Sequence, residues 1–176
     1  MLSRIEELKL IARCVTLDDH RAFARLVDAY SPALRRYIFN MTLGDASLTD
    51  DIAQNTFIKA YTSLKSFRCA ARFSTWLYTI ASRELADHRR RRSEMPSEDL
   101  STAPDSVSDP HRSTELRHDL MEAMKTLNDN ERAAILLYYL EDRPLKDVAR
   151  ITGRPEGSVK ASIHRAKPKM SHFLIK

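Results

Sequence analysis

The chain has 176 residues, a formal net charge of +5 and an isoelectric point near 9.3. Three glycines and 7% aromatic residues supply too few turn and strand formers for a many-stranded sheet, while 43% hydrophobic and 30% charged residues support packed cores rather than a disordered chain. An all-α protein of one ordinary domain or two small ones follows, and the positive balance favours an anionic partner, nucleic acid or a membrane surface. Cys14 and Cys69 stand in unrelated contexts, which suggests neither a disulfide framework nor a metal site and fits a reducing compartment. The N-terminal stretch is interrupted by Glu6, Glu7, Lys9 and Arg13, and no segment approaches the ~20 apolar residues that cross a bilayer. A cytoplasmic protein without direct membrane insertion is expected.

In chain order, Phe23, Leu26, Val27, Tyr30, Leu34, Tyr37, Ile38 and Met41 form one apolar stripe at helical spacing, which Pro32 is expected to divide into two helices. Ser47-Leu48-Thr49-Asp50 reads as a helix start, with Asp50 and Asp51 in the first turn and Ile52, Phe57, Ala60, Tyr61 and Leu64 following. Residues 63–73 break the pattern as a loop, and Ser74 or Thr75 is expected to cap a last helix through Trp76, Leu77, Ile80, Ala81 and Leu85 into Arg89–Arg92. These elements make a four-helix module over residues 1–92, with 16 Lys/Arg and 10 Asp/Glu. Residues 93–113 carry one basic and five acidic residues with Pro96, Pro104, Pro110 and six serines, the composition of an acidic flexible linker. Such a tether is expected to let the flanking modules orient independently.

Residues 114–176 form the second module. Leu116, Leu120, Met124 and Leu127 give one helix face, and Asn128 with Glu131 three residues on gives a capping box for a helix ending near Leu140. Pro144 suits the first position of a third helix, Gly153 its left-handed stop, and a fourth helix follows Gly157 with Val159, Ile163, Ala166 and Met170 inward. Two short helices across a glycine-containing turn are a helix-turn-helix. Pro168 is expected to kink or end the last helix near Ala166.

The last helix leaves Lys160, Ala161, His164 and Arg165 on its other side, and residues 157–176 hold five Lys/Arg and no acid. Such a helix can enter a major groove, with Lys160 and Arg165 reaching guanine edges and Ala161 near a thymine methyl. The plain alternative is a helical hairpin with a solvated basic face. In the first module Phe67, Phe73, Trp76 and Tyr78 interleave with Lys65, Arg68, Arg72, Arg83 and Arg89–Arg92. Flat rings stack on unpaired bases while cations follow the backbone, or the same rings are core and the arginines a solvated helix end. Adjacent Asp50 and Asp51 point about 100° apart on a helix and do not converge as catalytic carboxylates. The histidines lack ligand spacing and three glycines cannot build a phosphate loop, so neither metal, cofactor, small-molecule substrate nor enzymatic activity is expected.

Two ordered motif sets carry a family resemblance. The first comprises Phe23-x-x-Leu26-x-x-x-Tyr30, Asp50-Asp51-Ile52-x-Gln54-x-x-Phe57-Ile58-Lys59-Ala60-Tyr61 and Phe73-x-Thr75-Trp76-Leu77-Tyr78-x-Ile80-Ala81, with Asp87 before the arginine run. The second comprises Leu127-x-x-x-Glu131-Arg132, Asp147-Val148-Ala149, Gly153 and Gly157-Ser158-Val159-Lys160-x-x-Ile163-His164-Arg165-Ala166. With these the chain resembles the extracytoplasmic-function sigma factors of bacterial RNA polymerase over roughly residues 20–92 and 114–171. The resemblance implies that Asp50, Asp51, Gln54, Asn55 and Ile58 bind core RNA polymerase. It implies that Phe67, Arg68, Phe73, Trp76, Arg83, Arg89 and Arg90 hold the melted −10 element. Ser158, Lys160, Ala161, His164, Arg165 and Lys167 would read the −35 element as duplex. It further implies an anti-sigma factor as a partner, which in many members holds the protein at the membrane. Arg83, Asn55 and Ala161 depart from the family's usual Asn, Glu and Ser. An autonomous helix-turn-helix regulator is the rival reading; it would dimerise on two half-sites and need no single-strand surface.

Overall fold

The computed structural model describes residues 2–68, 71–94 and 113–174, and every regular element among them is helical. They are α1 (Arg4–Leu17), α2 (His20–Met41), α3 (Ala46–Ser63), α4 (Phe73–Glu94), α5 (Ser113–Lys125), α6 (Asp129–Ile135), α7 (Leu145–Thr152) and α8 (Glu156–Leu174). A 3₁₀ turn, Leu64–Ser66, follows α3, and a π-helical turn, Leu136–Leu140, follows α6. Helices α1–α4 form one bundle and α5–α8 a second. The expected linker, from residue 95 to 112, and Cys69 lie outside the described residues.

The first bundle has four helices, but not the four expected. The apolar stripe is one helix: α2 runs unbroken through Pro32 and buries Leu26, Tyr30, Leu34, Tyr37, Ile38 and Met41. Proline removes the bond to the carbonyl four residues back, and here both Pro32 and Asp28 are exposed, so water can take that carbonyl. The fourth helix is instead α1, opened by a Ser3–Glu6 capping box and buried through Leu10, Ile11 and Cys14. Cys14 donates its thiol to the Asp19 carbonyl at 3.7 Å, and burial pushes the thiol's pKa up, which suits packing rather than reactivity.

Helix α3 begins one turn earlier than its sequence suggests. Asp45 is the N-cap, accepting from the Leu48 N–H at 2.9 Å, so Asp50 and Asp51 sit in the second turn and do not serve the helix dipole's first turn. Helix α4 begins at Phe73, which places Ser74 and Thr75 inside its first turn, both buried, rather than at a cap. Its opening N–H group finds a partner from far away: Phe73 N–H donates to Glu7 Oε1 of α1 at 3.2 Å.

The second bundle follows its local signals more closely. Asn128 and Glu131 form the capping box, Gly153 ends α7 at φ 65°, and Pro144 occupies the N-cap, one place before its expected position. Arg154 donates to the hydroxyl of fully buried Ser162 at 3.1 Å and fastens the turn to α8. Helix α8 continues through Pro168 to Leu174, with Pro168 and His164 both exposed, the same arrangement that tolerates Pro32.

The two bundles are not independently oriented in this structure. Helix α4 packs on α7, α2 touches α6 and the π turn, and the buried apolar residues of both bundles form one continuous cluster.

Candidate nucleic-acid and protein interfaces

Helix α3 turns Ile52, Ala53, Thr56 and Ala60 inward, which leaves Asp50, Asp51, Gln54, Asn55 and Ile58 together on its outer face. All five are exposed, and Ile58 is 53% exposed. Asp50 is ion-paired with Arg35 of α2. Beside this face runs an open groove of about 590 Å³ between α2 and α3, lined by Phe23, Val27, Gln54, Phe57, Ile58 and Tyr61. Phe23 and Val27 belong to the same sequence stripe as the buried residues of α2 but stand on its edge, half-exposed. Only the packing of α3 shows that they line a groove. An apolar strip with a polar rim is the make-up of a protein-docking face.

The aromatic residues of the first bundle meet at one end of α4. Phe67 stands 5.9 Å from Phe73 edge-on and 5.1 Å from Trp76, and Phe73 is 5.6 Å from Trp76, measured between ring centroids. The three differ in access: Phe73 is fully buried against Tyr30, while Phe67 and Trp76 are half-buried at the rim. Phe73 is therefore the floor of this cluster rather than an exposed stacking surface. Tyr78 is buried as well. Seven-residue spacing brings Trp76, Arg83 and Arg90 onto one stripe of α4, successive members about 10 Å apart. Arg83 and Arg90 are exposed, with Asp87 bridged to Arg90 at 3.2 Å. Arg68 is exposed on the loop beside Phe67. Arg89 leaves the stripe: it points across to the second bundle and pairs with Asp129.

What holds this end of α4 is Glu7, a residue with no sequence signal for such a role. Its carboxylate is buried and accepts from Arg4 at 2.8 Å, from the Phe73 N–H and from the Tyr30 hydroxyl. Burial, then the hydrogen bond and charge of Glu7, push the Tyr30 pKa far up.

On α8, Val159, Ser162, Ile163 and Ala166 face inward and Lys160, Ala161 and His164 outward, with Lys160 and His164 exposed. Ser158 is half-buried on the N-terminal flank. Arg165 is turned to the side, its Nε 3.5 Å from Glu131 Oε1, and Lys169 Nζ lies 2.7 Å from the other carboxylate oxygen. Burial opposes the Glu131 charge, but the Lys169 hydrogen bond, the Asn128 N–H and the two cations prevail and hold its pKa below the usual carboxylate range. Lys167 lies over the Tyr139 ring at 5.6 Å, on the rim of a second apolar groove lined by Leu120, Met124, Ile135, Leu140 and Met170. Among the described residues no group of His, Cys, Asp and Glu could hold a metal, and no helix is long and apolar enough to cross a membrane.

The two bundles coincide with two known domain families: Sigma-70 region 2 matches residues 26–94 and Sigma-70 region 4 matches residues 117–170. The chain is 32% identical over 163 residues to the ECF RNA polymerase sigma factor SigW of Bacillus subtilis, covering 85% of this chain and 87% of that protein. It is 30% identical over 181 residues to the RNA polymerase sigma-H factor of Pseudomonas aeruginosa, covering 95% and 93%. Its fold is similar to that of CnrH in complex with the cytosolic domain of CnrY (TM-score 0.73, 22% identity, 96% of this chain and 97% of that one). It is also similar to the sigma factor RpoE in complex with the anti-sigma factor NepR from Bartonella quintana (TM-score 0.69, 23% identity, 86% and 96%). With both sigma-70 regions matched in order on the two bundles, and with relatives of near-equal length at this identity, the chain belongs to the extracytoplasmic-function (ECF) sigma factors of bacterial RNA polymerase.

Proposed function

We propose that this sigma factor divides its work among residues 1–92, a tether of residues 93–113 and residues 114–176. The outer face of α3 (Asp50, Asp51, Gln54, Asn55 and Ile58), with the groove beside it, binds core RNA polymerase. The α4 stripe of Trp76, Arg83 and Arg90, with Phe67 and Arg68, takes the unpaired −10 strand, rings stacking on bases and arginines following phosphates. Phe73 supports that surface from beneath, and Arg89 joins it once released from Asp129. Lys160, Ala161 and His164 enter the major groove of the −35 element, with Ser158, Arg165 and Lys167 on the flanks. Base pairs open because unpaired bases are trapped, so no ATP is needed and catalysis belongs to the polymerase. The protein acts in the cytoplasm and, like the relative bound to NepR, is held in check by an anti-sigma factor.

The observation that carries this reading is the stripe of Trp76, Arg83 and Arg90, which a duplex-only regulator has no need of. Permanganate reactivity of unpaired thymines tests it. With core polymerase and a cognate promoter, Trp76→Ala should abolish the reactivity around −10 while holoenzyme still assembles. Lys160→Glu should instead prevent promoter binding altogether. Wild-type melting by Trp76→Ala would contradict the −10 assignment.

A further inference from the structure

Among the described residues of the second bundle, Glu131 is the most deeply buried charged group, and the cations paired with it both come from α8. Its Oε2 accepts from Lys169 Nζ at 2.7 Å and from the Asn128 N–H at 3.2 Å, and its Oε1 faces Arg165 Nε at 3.5 Å. The carboxylate side chain is 2% exposed, whereas those of Arg165 and Lys169 are 57% and 42% exposed. A buried carboxylate needs partners, and long cationic side chains in water otherwise sample many rotamers. The buried charge therefore directs the two exposed ones.

Where they are directed follows from helix geometry. Arg165 and Lys169 leave α8 about 90° and 130° round its axis from the middle of the Lys160, Ala161 and His164 face, on the flank that turns toward α6. They also lie further along it. Lys160, Ala161 and His164 stand about 6–12 Å from the start of α8 at Glu156, within the ~12 Å width of a major groove, and Arg165 and Lys169 stand about 14 and 20 Å from it. A recognition helix reads base edges with its N-terminal residues, and the phosphates rise at the groove's edges. Arg154 adds positive charge to the same flank through its 3.1 Å bond to Ser162.

We infer that Arg165 and Lys169 form a contact to the phosphate backbone of the −35 duplex, set in place by Glu131 as a positioning residue, and that base reading is left to Lys160, Ala161 and His164. This rests on the −35 assignment above. Two cations against one carboxylate leave a surplus positive charge on the flank, and residues 157–176 contain no acid to oppose a phosphate. Contacts of this kind fix the register of a protein on duplex DNA and carry no sequence information themselves. Cations already held in place lose less freedom on binding. Glu131 also excludes: by turning Arg165 aside it keeps a guanidinium fork, the best guanine reader among side chains, off the base edges.

The test measures binding of the holoenzyme, assembled on bacterial core polymerase, to promoters in which each −35 base pair is varied, over a series of salt concentrations. Arg165→Ala and Lys169→Ala should each weaken binding by the same factor on every −35 sequence and make the salt slope shallower by about one. Lys160→Ala should instead lose about tenfold in discrimination at a single base pair. Glu131→Gln keeps the shape and an oxygen for the Asn128 N–H but removes the charge. It should free Arg165 and shift preference toward guanine at one −35 position by about tenfold. Glu131→Gln/Arg165→Ala should restore the wild-type preference, which a role in folding alone would not do. Circular dichroism checks helicity, and Glu131→Met, uncharged and of similar length, takes the place of a Gln variant that does not fold. Lost discrimination in Arg165→Ala, or an unchanged salt slope in both α8 variants, would overturn the backbone contact. Wild-type preference in the folded Glu131 variant would overturn the positioning role. If Lys160→Ala changes neither affinity nor preference, the −35 assignment itself fails, and the flank loses its ligand with it.

Discussion

Glu7 and Glu131 show how single buried carboxylates fix the start of α4 and the flank of α8. Glu7 accepts from Tyr30 and from the first N–H of α4, and without it two buried donors are left unpaired. Glu7→Ala should lower stability by about 2–4 kcal/mol in urea unfolding, a range set by orphaned buried donors. It should also change the emission of Trp76, the chain's one tryptophan, which packs on Phe67 and Phe73 above the Glu7 contact. Unchanged stability and emission would remove Glu7 from this role. Titration gives a second check. Burial pushes Tyr37 up to about 12, with the Ser82 hydroxyl opposing the shift. The unfolded chain's tyrosine ionises near 10, so above that pH the unfolded state binds fewer protons and stability falls between about 10 and 12. Tyr37→Phe should flatten that alkaline limb. Glu131 behaves oppositely. Its folded value lies below the ordinary glutamate value of 4.5, so its contribution is present above that pH and is lost as pH falls through the folded value. Neither the Glu7–Phe73 nor the Glu131–Lys169 partnership shows in the sequence, because the partners are 66 and 38 positions apart.

At the level of elements, local chemistry is legible where the chain makes its own boundary. The Asn128–Glu131 capping box and the Gly153 stop lie where the residues place them. Gly153 has φ 65°, and a side-chain carbon added there would meet nothing within 4 Å, so substitution meets backbone strain rather than a clash. Gly153→Ala should therefore cost about 1–2 kcal/mol, the left-handed penalty, read as a lower thermal midpoint. A neutral substitution would show that the α7–α8 turn relaxes. Sequence patterns mislead where exposure decides the outcome. Pro32 and Pro168 look like breaks, yet each sits on a solvated face where the freed carbonyl can meet water. Helix α1 is hard to see because charges interrupt its apolar residues, although Leu10, Ile11 and Cys14 form a buried face. Asp45 is masked as a cap because Ser47 and Thr49 offer better-looking candidates. The α4 stripe is half legible: its rings and cations stand out in the sequence, but only the helix separates Trp76, Arg83 and Arg90 from buried Phe73 and from Arg89.

For the whole molecule, composition and two ordered motif sets are enough to identify an all-α chain of two domains and its family. Their mutual arrangement is not legible, since Arg36 and Glu141, which pair across the two bundles, are 105 positions apart and neither forms part of a local pattern. As a sigma factor, the chain should confer promoter choice on core polymerase, its two bundles reading separate promoter elements. Run-off transcription tests this most directly, using a randomised promoter library and bacterial core RNA polymerase stripped of sigma, with and without the protein. Defined transcripts should appear only when the protein is present, and the enriched templates should share two elements at fixed spacing, one duplex-read and one melted. Absence of transcripts, with the protein alone protecting a palindromic duplex, would contradict this and favour an autonomous dimeric regulator.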